Sequence, residues 1–285
     1  MKDPLALSYG MGVDSTAVLV GWWRRGIRPD WIGHAQVGNE WPETYEYRPL
    51  IDEWLASVGF PTITDVQYVV QRPKNGPYTT LEENCLVNET LPSLAFGYKK
   101  CSLKWKGAPL DTACADYFTA HIKGGGKVLR AIGYDAGPKD SCRGGVETKG
   151  PWNWIYPLRE WGWDRDRCIA EILRAGLSVP PKSACTFCPS TKPAELIQLA
   201  KKHPHLATRA VVMEDRARPR LTKIQGLWGV GVKGTRGGEK KPGSWRLFLA
   251  EHAPEVLPEF QSTQPHVEVV KCEPSTNAVK EDDAA

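Results

Sequence analysis

Short apolar runs alternate with amphipathic stretches along the first half of the chain. Pro4 to Ser8 is a short apolar run that predicts a strand. Tyr9-Gly10-Met11-Gly12-Val13 follows as a turn, and Asp14 to Trp23 reads as a helix with Asp14 or Ser15 as its N-cap. Asp30 to Gln36 predicts a second strand. Pro42 to Ala56 predicts a helix, because Tyr45, Leu50, Ile51, Trp54 and Leu55 fall roughly on one face. Thr62 to Val70 is rich in β-branched residues and predicts a third strand. Residues 71 to 105 look irregular with one short helix. Beyond them come a helix over Leu110 to His121, a turn at Gly124-Gly125-Gly126 and a strand over Val128 to Gly133.

Strands alternating with helices predict an α/β fold: a mostly parallel twisted sheet with helices on both faces. After Pro151 the pattern turns helical, at Asp164 to Ala175, Ala194 to Lys202 and His205 to Arg216, with Pro180-Pro181 as a stop between the first two. The expected organisation is an α/β domain over 1–150, a smaller, mostly helical C-terminal annex over 151–261, and a polar, disordered tail over 262–285. Lys233 to Gly243, rich in glycine and lysine, is expected to be a mobile loop. Trp152, Trp154, Trp161 and Trp163 are expected to pack the annex against the sheet.

Composition narrows the class. With 285 residues, 41% hydrophobic and 25% charged, the chain can bury a sizeable core. No stretch approaches the roughly 18 apolar residues of a membrane span, so no membrane partner is expected. Met1 to Pro4 runs into the first strand without a signal-peptide pattern, so the expectation is a cytoplasmic protein. In a reducing compartment the eight cysteines point to metal binding, catalysis or burial rather than disulfides. A net charge of +4 permits a nucleic-acid partner without requiring one.

The glycine turn is the first candidate site. Gly10 and Gly12 let the backbone approach an anion, and the following helix aims its positive dipole end at the same place. Ser8, Ser15 and Thr16 add hydroxyls. The turn lacks the Gly-Lys-Ser/Thr of a Walker loop and the third glycine of a dinucleotide loop. Gly10-Met11-Gly12-Val13-Asp14-Ser15 does resemble the S-G-G-x-D-S signature of the PP-loop adenine-nucleotide alpha-hydrolase superfamily, with Gly10 in place of the first Ser and Met11 in place of the first Gly. Gly38-Asn39-Glu40-Trp41-Pro42-Glu43-Thr44 is similar to the D-T-G-x-E-x-P-E-T segment of its phosphoadenosine phosphosulfate (PAPS) reductase-like branch, with Gln36 and Val37 replacing Asp and Thr. Cys101 followed by Lys106-Gly107-Ala108-Pro109-Leu110 resembles that branch's Cys and K-x-x-P-L. Gly133-Tyr134-Asp135 running to Arg143 resembles its G-x-x-x-x-E/D-x-x-R.

The resemblance implies a Rossmann-like PP-loop fold that binds ATP or PAPS, with Mg for the nucleotide. Ser8, Tyr9, Gly10, Met11, Gly12, Val13, Asp14, Ser15 and Thr16 form the loop, and Gln36, Gly38, Glu40 and Gly133 lie at neighbouring strand ends. The catalytic set is Asp14, Ser15, Lys106 and Arg143. Lys106 serves as a point charge on phosphate or sulfonate, and Arg143 as a bidentate oxyanion ligand.

Cys185-Thr186-Phe187-Cys188 is a C-x-x-C turn that brings two thiolates to one ion or cluster. Cys101 is the expected third ligand and Cys85 the fourth, with Cys142 in reserve. Cys114 and Cys168 fall in helices and read as buried small residues. The resemblance implies a 4Fe-4S cluster, with structural Zn as the alternative. Cys272, in Lys271-Cys272-Glu273-Pro274, does not match the C-terminal E-C-G-[IL]-H of the PAPS reductases.

Lys201, Lys202, Arg209, Arg216, Arg218, Arg220, Lys223, Lys233, Arg236, Lys240, Lys241 and Arg246 crowd one segment. They offer a track for a nucleic-acid acceptor such as tRNA or DNA, with Trp228 or Trp245 as stacking platforms. The resemblance implies sulfur transfer or reduction, by thiolation of an adenylated acceptor with a cysteine-bound cluster, and a sulfur-donor protein as a partner. The alternatives are an adenylating ligase or amidotransferase with a structural metal, and a catalytically inactive nucleic-acid-binding module.

Overall fold

Five short strands run parallel in one sheet: β1 (Leu5–Ser8), β2 (Trp31–Gln36), β3 (Ile63–Gln67), β4 (Val128–Ala131) and β5 (Trp152–Ile155). Their order is β3-β2-β1-β4-β5. This computed structural model describes residues 3–73, 75–146, 150–229 and 242–257. The tail over 262–285 with Cys272, and Lys233, Arg236, Lys240 and Lys241 of the glycine- and lysine-rich segment, lie outside the described residues.

Parallel strands need crossovers, and helices supply them. Alternating side chains then give each face its own core. Leu7, Ile32 and Ala131 point to one face, under α1 (Val13–Arg24) and α2 (Pro42–Ser57). Ala6, Trp31, Ala35 and Val128 point to the other. There α4 (Ala108–Tyr117) buries Leu110 and Cys114 against them, and Phe118 follows. The expected α/β sheet with helices on both faces is therefore observed. The helix expected over Leu110 to His121 is in fact two, Ala108–Tyr117 and Thr119–Lys123, divided at Phe118.

β5 was not anticipated as a strand. Its tryptophans Trp152 and Trp154 stand two residues apart, hence on one face. The Arg130 guanidinium lies 4.7 and 4.9 Å from their ring centroids. Trp161 packs against α1 rather than directly on the sheet: a Cβ at Gly21 would lie 2.0 Å from its ring, and Trp163 joins the same core. That helix also packs on α5 (Arg165–Arg174), capped by Asp164, whose carboxylate accepts from the Arg167 amide at 2.8 Å.

The stretch over 71 to 105 is more helical than expected. It holds α3 (Leu81–Val87), a 3-10 turn at Ser93–Phe96, and a π-helical turn at Leu103–Gly107. Thr80 and Glu83 form a reciprocal capping box at the start of α3, satisfying two backbone donors at once. The C-terminal helices α6 (Pro193–Lys202), α7 (Pro204–Ala217) and α8 (Trp245–His252) share a second large core with Val37, Trp41, Leu81, Cys85 and Trp105. Among the described residues no helix is long and apolar enough to cross a membrane.

Candidate functional site

The strand order reverses between β1 and β4, so the loops leaving their carboxyl ends diverge and leave a crevice between them. The glycine turn leaves β1 into this crevice, and Gly133 to Arg143 leave β4 into it. A Cβ on Gly133 would stand 3.0 Å from both the Asp14 carbonyl carbon and the Ser15 nitrogen. Only glycine lets the β4 loop lie against the start of α1.

That helix start has an unusual finish. Asp14 and Ser15 are not its N-cap, contrary to expectation. Gly12 occupies that position with extended backbone, and no side chain bonds the first amides. By contrast α3, α5 and α8 are capped by Thr80, Asp164 and Ser244. The hydroxyls build the loop instead. Ser15 Oγ accepts from the Gly10 amide at 3.3 Å and donates to the Gly12 carbonyl at 3.2 Å. Tyr9 and Thr16 hydroxyls bond each other at 3.0 Å in the core, and Ser8 Oγ accepts from Arg130 at 2.8 Å. Val13 is buried. The side chains of Tyr9, Met11, Val13 and Thr16 therefore face inward, and the loop offers its backbone.

Met11 stands where the S-G-G-x-D-S signature has glycine, and its φ of 56° is in the left-handed region. That conformation costs an L residue about 1 kcal/mol. The side chain is 1% exposed, and such burial contributes about 2 kcal/mol, which outweighs the strain. The departure at Met11 therefore keeps the loop shape.

Beside the loop, ligand oxygens of Asp14, Asp135 and Asp140 lie within 4.8 Å of one another. Asp14 is paired with Arg165 at 2.7 Å, Asp140 with Arg143 at 3.0 Å, and Asp135 accepts from the Gly137 amide at 2.8 Å. Burial pushes the Asp14 carboxyl above its ordinary value. Arg165 pulls against this, and Asp135 and Asp140 add to it. Arg143 also lies over the Tyr134 ring. The roles of Asp140 and Arg165 were missed. The signal for Asp140 was its place three residues before Arg143, whereas Arg165 lies in a helix with no motif around it.

A second group gathers past the carboxyl end of β2. Gln36 turns aside to Asp65 at 3.2 Å. Gly38, at φ 69°, lies against Thr80, and the chain then enters an antiparallel bridge between Glu40 and Cys185. The Trp41 amide donates to the Ala184 carbonyl at 3.1 Å and the Thr186 amide to the Asn39 carbonyl at 3.0 Å, clamping the C-x-x-C turn to this segment. Glu40 is buried. It accepts from Lys106 Nζ at 2.5 Å and from Ser183 Oγ at 3.0 Å. Burial opposes charge on Lys106, but Glu40, with Cys185 and Cys188 nearby, holds its ammonium above the ordinary value.

Cys85, Cys101, Cys185 and Cys188 are brought into this same pocket. Burial pushes Cys85 up, and the Cys185 and Cys101 sulfurs add to the effect. Burial pushes Cys185 to about 12 against the pull of Lys106. Cys188 is raised by burial, with the Ser190 amide and hydroxyl bonding its sulfur and opposing the shift. Cys142 lies elsewhere, exposed beside Arg143, while Cys114 and Cys168 are buried in helices as expected. Among the described residues only the aspartate trio brings three ligand atoms within 4.8 Å, so the sulfurs stand more widely spaced.

Part of the basic segment is held in ion pairs. Arg209 pairs with Glu82, Arg218 and Arg246 with Asp215, and Arg220 with Glu89. Trp228 and Trp245 are buried, 7% and 0% exposed, in the helical core. Their size and apolar surface were satisfied by packing, so neither offers a face to a base. Neither a scan against protein-family models nor a search of curated proteins finds a match to this chain.

Proposed function

We propose that this chain is a PAPS reductase-like PP-loop enzyme that binds an adenine nucleotide, ATP or PAPS, on the Gly10 to Ser15 loop and carries out sulfur transfer or reduction. The observation that carries this reading is the uncapped start of α1 at the strand-order reversal, closed over by Gly133. Backbone amides there are free of side-chain caps, and the helix dipole favours an anion. Asp14, Asp135 and Asp140 would hold Mg, which prefers hard oxygen donors and would supply counter-charge to the phosphates.

With ATP, an acceptor oxygen attacks the α-phosphorus and the α–β bond breaks. Pyrophosphate leaves, and the acceptor carries AMP as a leaving group for a sulfur nucleophile. Arg143 and Arg165 lie at the rim of the crevice, where they neutralise developing negative charge.

The four cysteines are soft donors, of the kind an iron–sulfur group takes. A zinc tetrahedron with Zn–S of about 2.3 Å sets its sulfurs about 3.8 Å apart, closer than this pocket places them. The bond from the Ser190 amide to Cys188 is the kind that tunes an iron–sulfur centre. Cys85, Cys101, Cys185 and Cys188 would hold a 4Fe-4S cluster, which supplies sulfur-handling or electron-transfer chemistry when bound. Lys106, held charged by Glu40, would orient an anionic group at the pocket rim.

The test is turnover by the anaerobically purified full chain. Wild type is expected to release pyrophosphate from ATP or sulfite from PAPS. Asp14→Ala is expected to lose that activity by roughly 100-fold or more with its fold intact. No turnover of either nucleotide by wild type, or full activity in the variant, overturns the reading.

A further inference from the structure

One basic and aromatic stretch faces outward beside the cysteine pocket. Phe96, Tyr98, Lys99, Lys100, Leu103 and Lys104 are all exposed and flank the half-buried Cys101. Tyr98 and Leu103 are 63% and 68% exposed, far more than packing needs. The stretch is nonetheless held in shape. The Ser93 hydroxyl accepts from the Cys101 amide at 2.7 Å and donates to the Tyr98 carbonyl at 3.1 Å. Lys104 Nζ stands 4.9 Å from the Tyr68 ring centroid, and Tyr68 packs on Trp105 at 5.1 Å.

Charge sets this stretch apart from Arg209, Arg218 and Arg246. Arg209 of α7, Arg218 just beyond it and Arg246 of α8 are each paired with a carboxylate. Among the described residues, none of Lys99, Lys100 and Lys104 has a carboxylate within ion-pair reach. Unpaired lysines beside exposed rings suit a chain of phosphates carrying unstacked bases. A duplex offers phosphates but keeps its bases stacked away from Tyr98.

We propose that residues 96–104 dock a single-stranded nucleic-acid segment, with Tyr98 stacking on a base and the three lysines on phosphates, beside Cys101 and Lys106. That the docked strand is the sulfur acceptor rests on the function proposed above; the docking itself does not.

Fluorescence anisotropy with a short labelled single-stranded RNA, its DNA counterpart and a duplex tests this on the full chain. The K99Q/K100Q/K104Q variant is expected to bind a single strand at least tenfold more weakly and to reduce the slope of log affinity on log salt by about 2. Tyr98→Ala is expected to weaken single-strand binding by about tenfold. The control K201Q/K202Q/K223Q is expected to change binding by less than about twofold. All these residues are exposed, so thermal unfolding should be unchanged. Equal loss in the control set, preference for duplex, or no strand binding by wild type overturns the proposal. Wild type that binds the strand but neither ATP nor PAPS supports the docking surface and overturns the functional reading alone.

Discussion

The crevice between β1 and β4 and the pocket beyond β2 open at the same edge of the sheet but are built from opposite materials. The crevice holds backbone amides, three carboxylates and two half-exposed arginines. The pocket holds four thiols, a buried carboxylate and one lysine. Oxygen and charge suit a hard anion with its cation. Buried sulfur suits a soft centre that must displace protons to bind. The difference teaches that one edge of the sheet carries two unlike donor sets: the segments that follow β1 and β4 supply the oxygens, while α3, the Cys101 segment and the C-x-x-C turn supply the sulfurs.

Separate substitutions should break the two regions independently. The largest effect is expected from Cys188→Ser, which should lose iron and sulfide almost completely by elemental analysis. ATP or PAPS affinity in that variant should change by less than about twofold. Unchanged metal content would remove Cys188 from the ligand set. Gly133→Ala should do the converse. Its Cβ would press on the Asp14 and Ser15 backbone, costing about 1–3 kcal/mol of stability through overpacking, and nucleotide affinity should fall about tenfold or more. Metal content should hold, and a fall in metal rather than nucleotide would show the two regions to be one.

The smallest effect concerns the tether between sheet and helical part. Glu43 on α2 accepts from His203 at 3.0 Å and lies near Lys202 at the end of α6. Burial pushes its carboxyl up, but its own amide, His203 and Lys202 outweigh this and hold it below the ordinary value. A depressed carboxyl contributes stability above its unfolded value of about 4.3, which is lost as pH falls through the folded value. Glu43→Gln should therefore cost under about 1 kcal/mol at neutral pH by denaturant unfolding, with the gap closing on acidification. A gap that widens in acid would contradict this.

Most of the fold was legible because periodicity reports burial. Four of five strands and the helices over the sheet follow from apolar spacing, whereas the cap expected at Asp14 or Ser15 does not form. β5 escaped because Trp152 and Trp154 read as packing residues, and their partner Arg130 is distant in sequence. The loop was legible from its glycines, but the roles of its hydroxyls were not, since Ser15 and Thr16 are claimed by local bonds. That Cys101 and the C-x-x-C turn come near each other accords with their motifs. The pairing of the basic segment was not legible, because composition counts charges without their partners. Arg209 finds Glu82 across 127 positions, beyond any local pattern.

The central claim is that the loop at the strand-order reversal holds an adenine nucleotide. Equilibrium binding of labelled ATP and PAPS to the anaerobically purified full chain, beside Gly133→Ala, tests it most directly. The account predicts saturable binding of at least one of them to wild type, competed by unlabelled adenine nucleotide and lost in the variant. No saturable binding, or equal binding by both proteins, would contradict it.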